Sequence, residues 1–156
     1  MPDPVTAHAR RGAEFTFDGQ GFLALVQSLL PLPQDTVIYA PAFDHAVKDP
    51  VADSISILPS HKIVVFEGNY LLLDRDPWRE AAKLLDERWF VEVDFAVAKK
   101  RLIARHVAAG IAKDEIEAER RAAENDLVNG EEIVRLRLPV DELVISLEQE
   151  SWSHSH

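Results

Sequence analysis

Cysteine is absent from this 156-residue chain. Its absence excludes a disulfide framework and any cysteine-based zinc site, and makes a cytosolic home the default. Long apolar runs are lacking too. None approaches the length of a membrane span, and the first residues carry no signal-peptide pattern. Positive charge is scarce, with 17 Lys and Arg against 27 Asp and Glu, a net charge of −10. That balance disfavours non-specific binding to DNA or RNA, but leaves room for a local basic pocket around a phosphorylated ligand. Hydrophobic residues, at 47%, argue against disorder, and the length suits one domain with a real core. Internal repeats, low-complexity segments and linkers are all missing.

What is present centres on residues 61–74, HKIVVFEGNYLLLD. Ile63-Val64-Val65-Phe66 is an uninterrupted, mostly β-branched run. It predicts a strand buried on both faces, as in a parallel α/β sheet. The run ends in Glu67-Gly68. In open α/β sheets ligands bind beyond the carboxyl ends of the strands. A carboxylate there suits Mg²⁺ or a water, and a glycine lets a phosphate or backbone come close. The plain alternative is a glutamate that caps the next turn.

The rest of the chain alternates between helical and strand signals. Residues 1–13 read as loop, with Arg10-Arg11-Gly12 as a solvated turn or an anion contact. Asp18 is a good N-cap for a helix whose apolar face is Phe22, Leu23, Leu25, Val26, Leu29 and Leu30, stopped by Pro31 and Pro33. Residues 36–40 predict a short strand closed by Pro41. A loop follows with Phe43, Asp44, His45, Lys48 and Asp49, where ionisable groups crowd after a strand. Asp76-Pro77 predicts the start of a helix to about Leu85. Residues 88–93 predict a strand, and Asp94 caps a helix to about Ala109 with Gly110 as its end. On that helix Arg101 and Arg105 are four apart and share a face, as a solvated basic face or a phosphate clamp. Residues 113–125 predict a charged, exposed helix closed by residues 125–130, then a short helix over residues 131–137. Residues 142–147 predict the last strand, and residues 148–156 a polar tail. Alternating strands and helices call for a layered α/β fold.

In this order the segments resemble the phosphoribulokinase/uridine kinase group of P-loop kinases, with the pantothenate kinase-like and fungal or bacterial nucleoside- or sugar-kinase-like branch nearest. Arg10-Arg11-Gly12-Ala13 through Phe17-Asp18 is similar to that group's R-[RK]-G-x-P-x-[ST]-[FY]-D stretch, with Glu14 in place of the proline. PAFDHAVKDP, residues 41–50, resembles the P-x-[YF]-[DS]-H segment that meets the phosphate acceptor. Val65 to Leu72 resembles the strand end V-x-x-E-G. Val93-Asp94 and Arg101-Leu102-Ile103-Ala104-Arg105-His106 resemble a strand end and an arginine-bearing lid helix. Asn125-Asp126 and Asn129 resemble the asparagine segment after the lid. The likeness covers about residues 1–146.

The resemblance implies an ATP- and Mg²⁺-dependent transfer of a phosphoryl group to a hydroxyl of a nucleoside, a pantothenate-like molecule or a sugar. It implies catalytic roles for Glu67, Arg101 and Arg105, with Glu67 also at the metal. Arg11, Phe43, Asp44, His45 and Lys48 would line the acceptor pocket; Arg105, Asn125 and Asn129 would meet the nucleotide. One departure is large. Of the six glycines none precedes Lys-Ser or Lys-Thr, so the phosphate-cradling loop is not in this sequence. The expected fold is an α/β P-loop-kinase-like parallel sheet flanked by helices, over residues 1–147, without its N-terminal P-loop strand and helix. That strand would lie between the ones ending at Glu67 and Val93, so the sheet must close up, pair with another chain, or belong to a truncated protein. Such a chain alone would be inactive, as the larger part of a small-molecule kinase or as a non-catalytic binding module. Expected partners are a small-molecule substrate and a second copy or sheet-edge partner, with no nucleic acid and no membrane.

Overall fold

The computed structural model describes residues 12–30, 35–44 and 49–147, the side chains of residues 43, 44, 49 and 50 excepted. Two compact units divide the chain: Asp18–Asp86, and Met1–Phe17 together with Glu87–His156.

In the first unit, helix α1 (Gly19–Leu29) starts where expected, with Asp18 Oδ1 accepting the Gly21 N–H at 2.9 Å. Leu23 and Val26 face inward and pack with Ala81, ringed by Phe22, Phe66, Leu84 and Leu85. Ala81 lies on the short helix α2 (Trp78–Ala82). Phe22 meets Phe66 edge-on at 5.3 Å and tilts over Trp78 at 5.8 Å, and Tyr70 lies 6.2 Å from Trp78. Aromatic pairs at these spacings favour such tilted geometries. Gly19 is required for this packing, because a Cβ there would stand 2.8 Å from Pro77 Cγ and 3.1 Å from the Trp78 ring. Helix α2 begins after Pro77, not at an Asp76 cap; Asp76 instead pairs with Arg79 at 3.5 Å.

A hairpin replaces the expected lone strand and loop. Strand β1 (Ile38–Asp44) runs through Pro41 and pairs antiparallel with β2 (Asp49–Ile57), which sequence reasoning did not foresee. The register slips between Ala40, opposite Ile55, and Ala42, opposite Val51. Pro41, which has no N–H to give a ladder, sits at that slip. On the other strand Asp53 takes a left-handed φ of 55°, and the Ser54 hydroxyl donates to Val51 O at 2.9 Å. The bulge therefore absorbs the proline.

The central expectation needs correcting. Among the described residues the run Ile63 to Phe66 pairs with no strand, and Ile63 and Val65 are 82% and 83% exposed. Only Phe66 turns inward. A buried strand needs a hydrogen-bonding neighbour, and neither two-stranded sheet includes these residues.

In the second unit, β3 (Trp89–Glu92) and β4 (Glu142–Ile145) form a parallel pair, Trp89 opposite Glu142 through Glu92 opposite Ile145. Arg88 and Asp141 clamp its start: the Arg88 N–H donates to Asp141 Oδ2 at 2.8 Å and its Nε to the same oxygen at 3.2 Å. Helix α3 (Phe95–Ala108) is capped by Asp94, which accepts from the Ala96 and Val97 N–H groups at 2.8 and 3.2 Å. Its end closes as expected at Gly110, φ 66°, with the Ile111 N–H returning to His106 O at 2.9 Å.

Residues 115–135 are one helical run, contrary to the expected break near Asn125. Helix α4 (Glu115–Arg121) passes through a π-helical turn (Ala122–Asp126) into α5 (Leu127–Arg135). Gly130 does not end it; a Cβ there would be 3.6 Å from the Phe95 ring. The Asn and Gly residues that read as breakers are held in the helix by packing, Asn125 and Asn129 being buried.

Candidate functional site

Helix α3 carries the candidate arginines, and a cap at Asp94 and a Gly110 terminus fix both its ends. Along it, Lys99 is tied to Glu119 of α4 at 2.6 Å, a hydrogen-bonded pair that holds the Glu119 carboxyl below its ordinary range. Arg101 is also engaged: Nη1 donates to Ser146 Oγ at 2.8 Å and Nη2 to Leu147 O at 2.9 Å. These bonds fasten α3 to the segment leaving β4. Arg105, one turn on, is exposed and makes no hydrogen bond or ion pair among the described residues. The two arginines thus differ: one is committed to the fold and one is available to an anion.

The next residue was missed as a site feature. His106 is 5% exposed, and its Nε2 lies 2.8 Å from Asp126 Oδ2. A carboxylate only accepts, so Nε2–H is the donor. Nδ1 is buried with no partner among the described residues. Asp126 closes the π-helical turn, whose wider winding is a recurrent feature of functional segments. The sequence shows His106 and Asp126 only as residues twenty apart, with no local pattern joining them.

Asn125 and Asn129, expected at the nucleotide, are 8% and 7% exposed and sit on the packed side of this helical run. Both have hydrogen-bonding or contact partners. Beside β3, Arg137 lies over the Phe90 ring at 4.3 Å.

In the other unit, Glu67 is exposed and makes no hydrogen bond or ion pair among the described residues, and Gly68 follows it without crowding. Phe43 and Asp44 end β1 at the hairpin tip. Their side chains, and Arg11, His45 and Lys48, lie outside the described residues. Glu67 and the α3 arginines belong to different units. Among the described residues no group of three His, Asp or Glu gathers to hold a metal. Glu67 alone still fits Mg²⁺ in the manner usual for nucleotide sites, where one or two carboxylates join phosphate and water. The residues do not fit the phosphate cradle itself, since the sequence offers no Gly-rich loop ending in Gly-Lys-Ser/Thr.

No protein-family model matches the chain. An ATP-dependent kinase-like protein of Aspergillus versicolor, notR′, is 53% identical over 147 residues, covering 92% of this chain and 85% of that protein. The chain belongs to this family of ATP-dependent kinase-like proteins. A Schizosaccharomyces pombe protein assigned as a uridine kinase is 45% identical over 81% of the chain and 54% of its own length. The crystal structure of YFH7 from Saccharomyces cerevisiae, described as a P-loop containing kinase with a circular permutation, superposes with a TM-score of 0.80 at 30% identity. It covers 96% of this chain and 53% of that one. The chain thus spans about half the length of these last two relatives. The expected fold class holds: this is a P-loop-kinase-like α/β chain with a parallel strand pair. Among the described residues no helix is long and apolar enough to cross a membrane.

Proposed function

We propose that this chain carries the lid and acceptor side of an ATP- and Mg²⁺-dependent kinase, which moves a phosphoryl group to a hydroxyl of a small molecule. The acceptor class is a nucleoside, a pantothenate-like molecule or a sugar. The observation that carries the reading is Arg105: an exposed guanidinium with no hydrogen bond or ion pair among the described residues, on a helix capped at both ends, in a chain that is 53% identical to an ATP-dependent kinase-like protein. A guanidinium suits the spreading charge of a transferring phosphoryl group.

In this reading Arg105 binds the nucleotide's phosphates. Arg101 shares its face and sets the position of α3 through Ser146 and Leu147. Asn125 and Asn129 support the adenine side from within the packed helical run. Glu67 would hold Mg²⁺, and the metal would neutralise phosphate charge there. Phe43, Asp44, His45, Lys48 and Arg11 receive the acceptor. A cytoplasmic home accords with the missing cysteines.

A second reading rests on the missing Gly-Lys-Ser/Thr: a binding module that holds a phosphorylated or hydroxyl-bearing ligand without phosphoryl transfer. The discriminating experiment is a transfer assay with MgATP and nucleoside, pantothenate and sugar acceptors. It is run on this chain and on a version extended by a Gly-rich phosphate-binding segment. The kinase reading expects turnover from the extended version, none from the chain alone, and weakened ATP binding in Arg105→Ala. No turnover by the extended version, with ATP affinity unmoved in Arg105→Ala, overturns it and leaves the binding module.

A further inference from the structure

Among the described residues, helix α3 buries one side chain, His106. Lys99, Leu102, Ile103 and His106 share a face of that helix at i, i+3, i+4 and i+7. The face is turned inward: the first three are half-buried and His106 is 5% exposed. Its polar ends are tied to the helical run that follows, Lys99 to Glu119 at 2.6 Å and His106 to Asp126 at 2.8 Å. At about 100° per residue, Arg105 stands more than a quarter-turn from His106, on the exposed side. The two ties are unequal. The Lys99 and Glu119 side chains are 38% and 56% exposed, and exposed pairs hold little. The His106 bond is shielded and runs to a carboxylate, which makes it the stronger one. Nδ1 has no partner among the described residues, so there the Asp126 bond alone orients the ring. The π-helical turn supplies that acceptor, since Asp126 is its last residue. The His106 carbonyl also accepts the Ile111 and Ala112 N–H groups at 2.9 and 3.1 Å, so the same residue fixes the chain leaving Gly110. Arg101 fastens the middle of α3 through Ser146 and Leu147; His106 fastens the last turn, which carries Arg105.

We propose that His106, oriented by Asp126, is a positioning residue: it sets the rotation of the last turn of α3 and so holds Arg105 outward, toward a di- or triphosphate. The proposal rests on the reading of Arg105 given above. A helix end held by a single buried bond loses its fixed rotation when that bond is removed. Arg105 must then be ordered at the moment of binding, and that ordering is subtracted from its affinity. The lysine pair cannot take over, because it is exposed and lies two turns earlier on the helix. His106 touches no ligand in this scheme; it acts through the backbone it shares with Arg105.

The probe is inorganic pyrophosphate, titrated into the whole chain and followed by phosphorus NMR. The wild type is expected to bind it weakly, and Arg105→Ala more weakly still. Asp126→Ala should weaken binding at least about twofold. The sign is diagnostic, because removing a carboxylate would by charge alone strengthen the binding of an anion. His106→Leu, which keeps bulk but has no donor, should weaken binding as much, and the two changes together no more than either. His106→Gln carries an Nε2–H for Asp126 and should restore most of the affinity. In an Arg105→Ala background none of these changes should matter. Circular dichroism reports whether each variant is folded; if His106→Leu is not, Asp126→Ala and His106→Gln decide. Three results overturn the proposal while the reading of Arg105 stands: unchanged or tighter binding in Asp126→Ala, no restoration by His106→Gln, or a loss that persists in the Arg105→Ala background. A wild type that binds no pyrophosphate, or binds it no better than Arg105→Ala, overturns both.

Discussion

Gly19 and His106 show how much a single side chain decides in each unit. At Gly19 even a methyl group would press on Pro77 and the Trp78 ring at 2.8 and 3.1 Å. Gly19→Ala should therefore destabilise the protein by about 1–3 kcal/mol, the usual cost of overpacking, despite alanine's better helix propensity. Urea denaturation measures it; a stabilised variant would mean that Pro77 and Trp78 move aside freely. At His106 the buried ring donates to Asp126. His106→Ala strands that carboxylate and opens a cavity, for an expected loss of about 2–4 kcal/mol. A cycle with Asp126→Asn should show coupling of about 0.5–3 kcal/mol between the two. Additivity would show that the pair is two separate packing residues. Neither residue was legible in the sequence. Helix-start glycine is common enough to say nothing of Trp78, and a contact across twenty residues leaves no period to read.

Elements were most legible where a cap announces them. Asp18 and Asp94 start α1 and α3, and Gly110 ends α3, all at the positions expected. They were least legible where packing overruled propensity. Asn125, Asn129 and Gly130 read as a break, yet the π-helical turn carries the helix through them. Strand β2 was hidden because polar residues and a left-handed Asp53 interrupt the alternation of Val51, Ile55 and Ile57, and most of its residues are exposed. Ion pairs between elements give a pH prediction. Arg88 holds Asp141 below its ordinary 3.8, through a side-chain hydrogen bond first and a backbone one second; Lys99 holds Glu119 below its ordinary 4.5 through a side-chain hydrogen bond first and charge attraction second. A carboxyl with a lowered folded pKa binds protons less readily in the folded chain than in the unfolded one. Its stabilisation is then complete above the ordinary value and is lost as pH falls through the lowered one. Stability measured by urea should thus decline below about pH 4.5, and Asp141→Asn should make that decline shallower while lowering stability at neutral pH. An unchanged acid limb would show that the Arg88 clamp contributes nothing in solution, as many surface pairs do.

At the scale of the whole molecule, the α/β class and kinase kinship were legible because ordered short motifs survive even where single ones are weak. What was not legible is the fate of the central run. Its composition predicts burial on two faces, and composition cannot say whether a neighbouring strand exists to supply that burial. The same distinction governs nucleotide binding. Phosphate affinity in this fold class comes chiefly from a backbone N–H cradle with a lysine, and this sequence has no such motif. Of the described candidate residues, the Arg105 guanidinium and the Glu67 carboxylate are exposed and make no hydrogen bond or ion pair among the described residues. A single charge-assisted contact gives about 1.5–3 kcal/mol, well short of the 8.2 or so that micromolar binding needs. Calorimetric titration of this chain with MgATP should accordingly show binding no tighter than about millimolar. Arg105→Ala should weaken what binding there is, whereas Arg101→Ala should chiefly lower the melting temperature, because its donors are already given to Ser146 and Leu147. Micromolar affinity in the chain as it stands would reverse the argument. It would mean that the backbone of the described residues, or the arginines acting together, builds a phosphate site by a route that owes nothing to a Gly-rich loop.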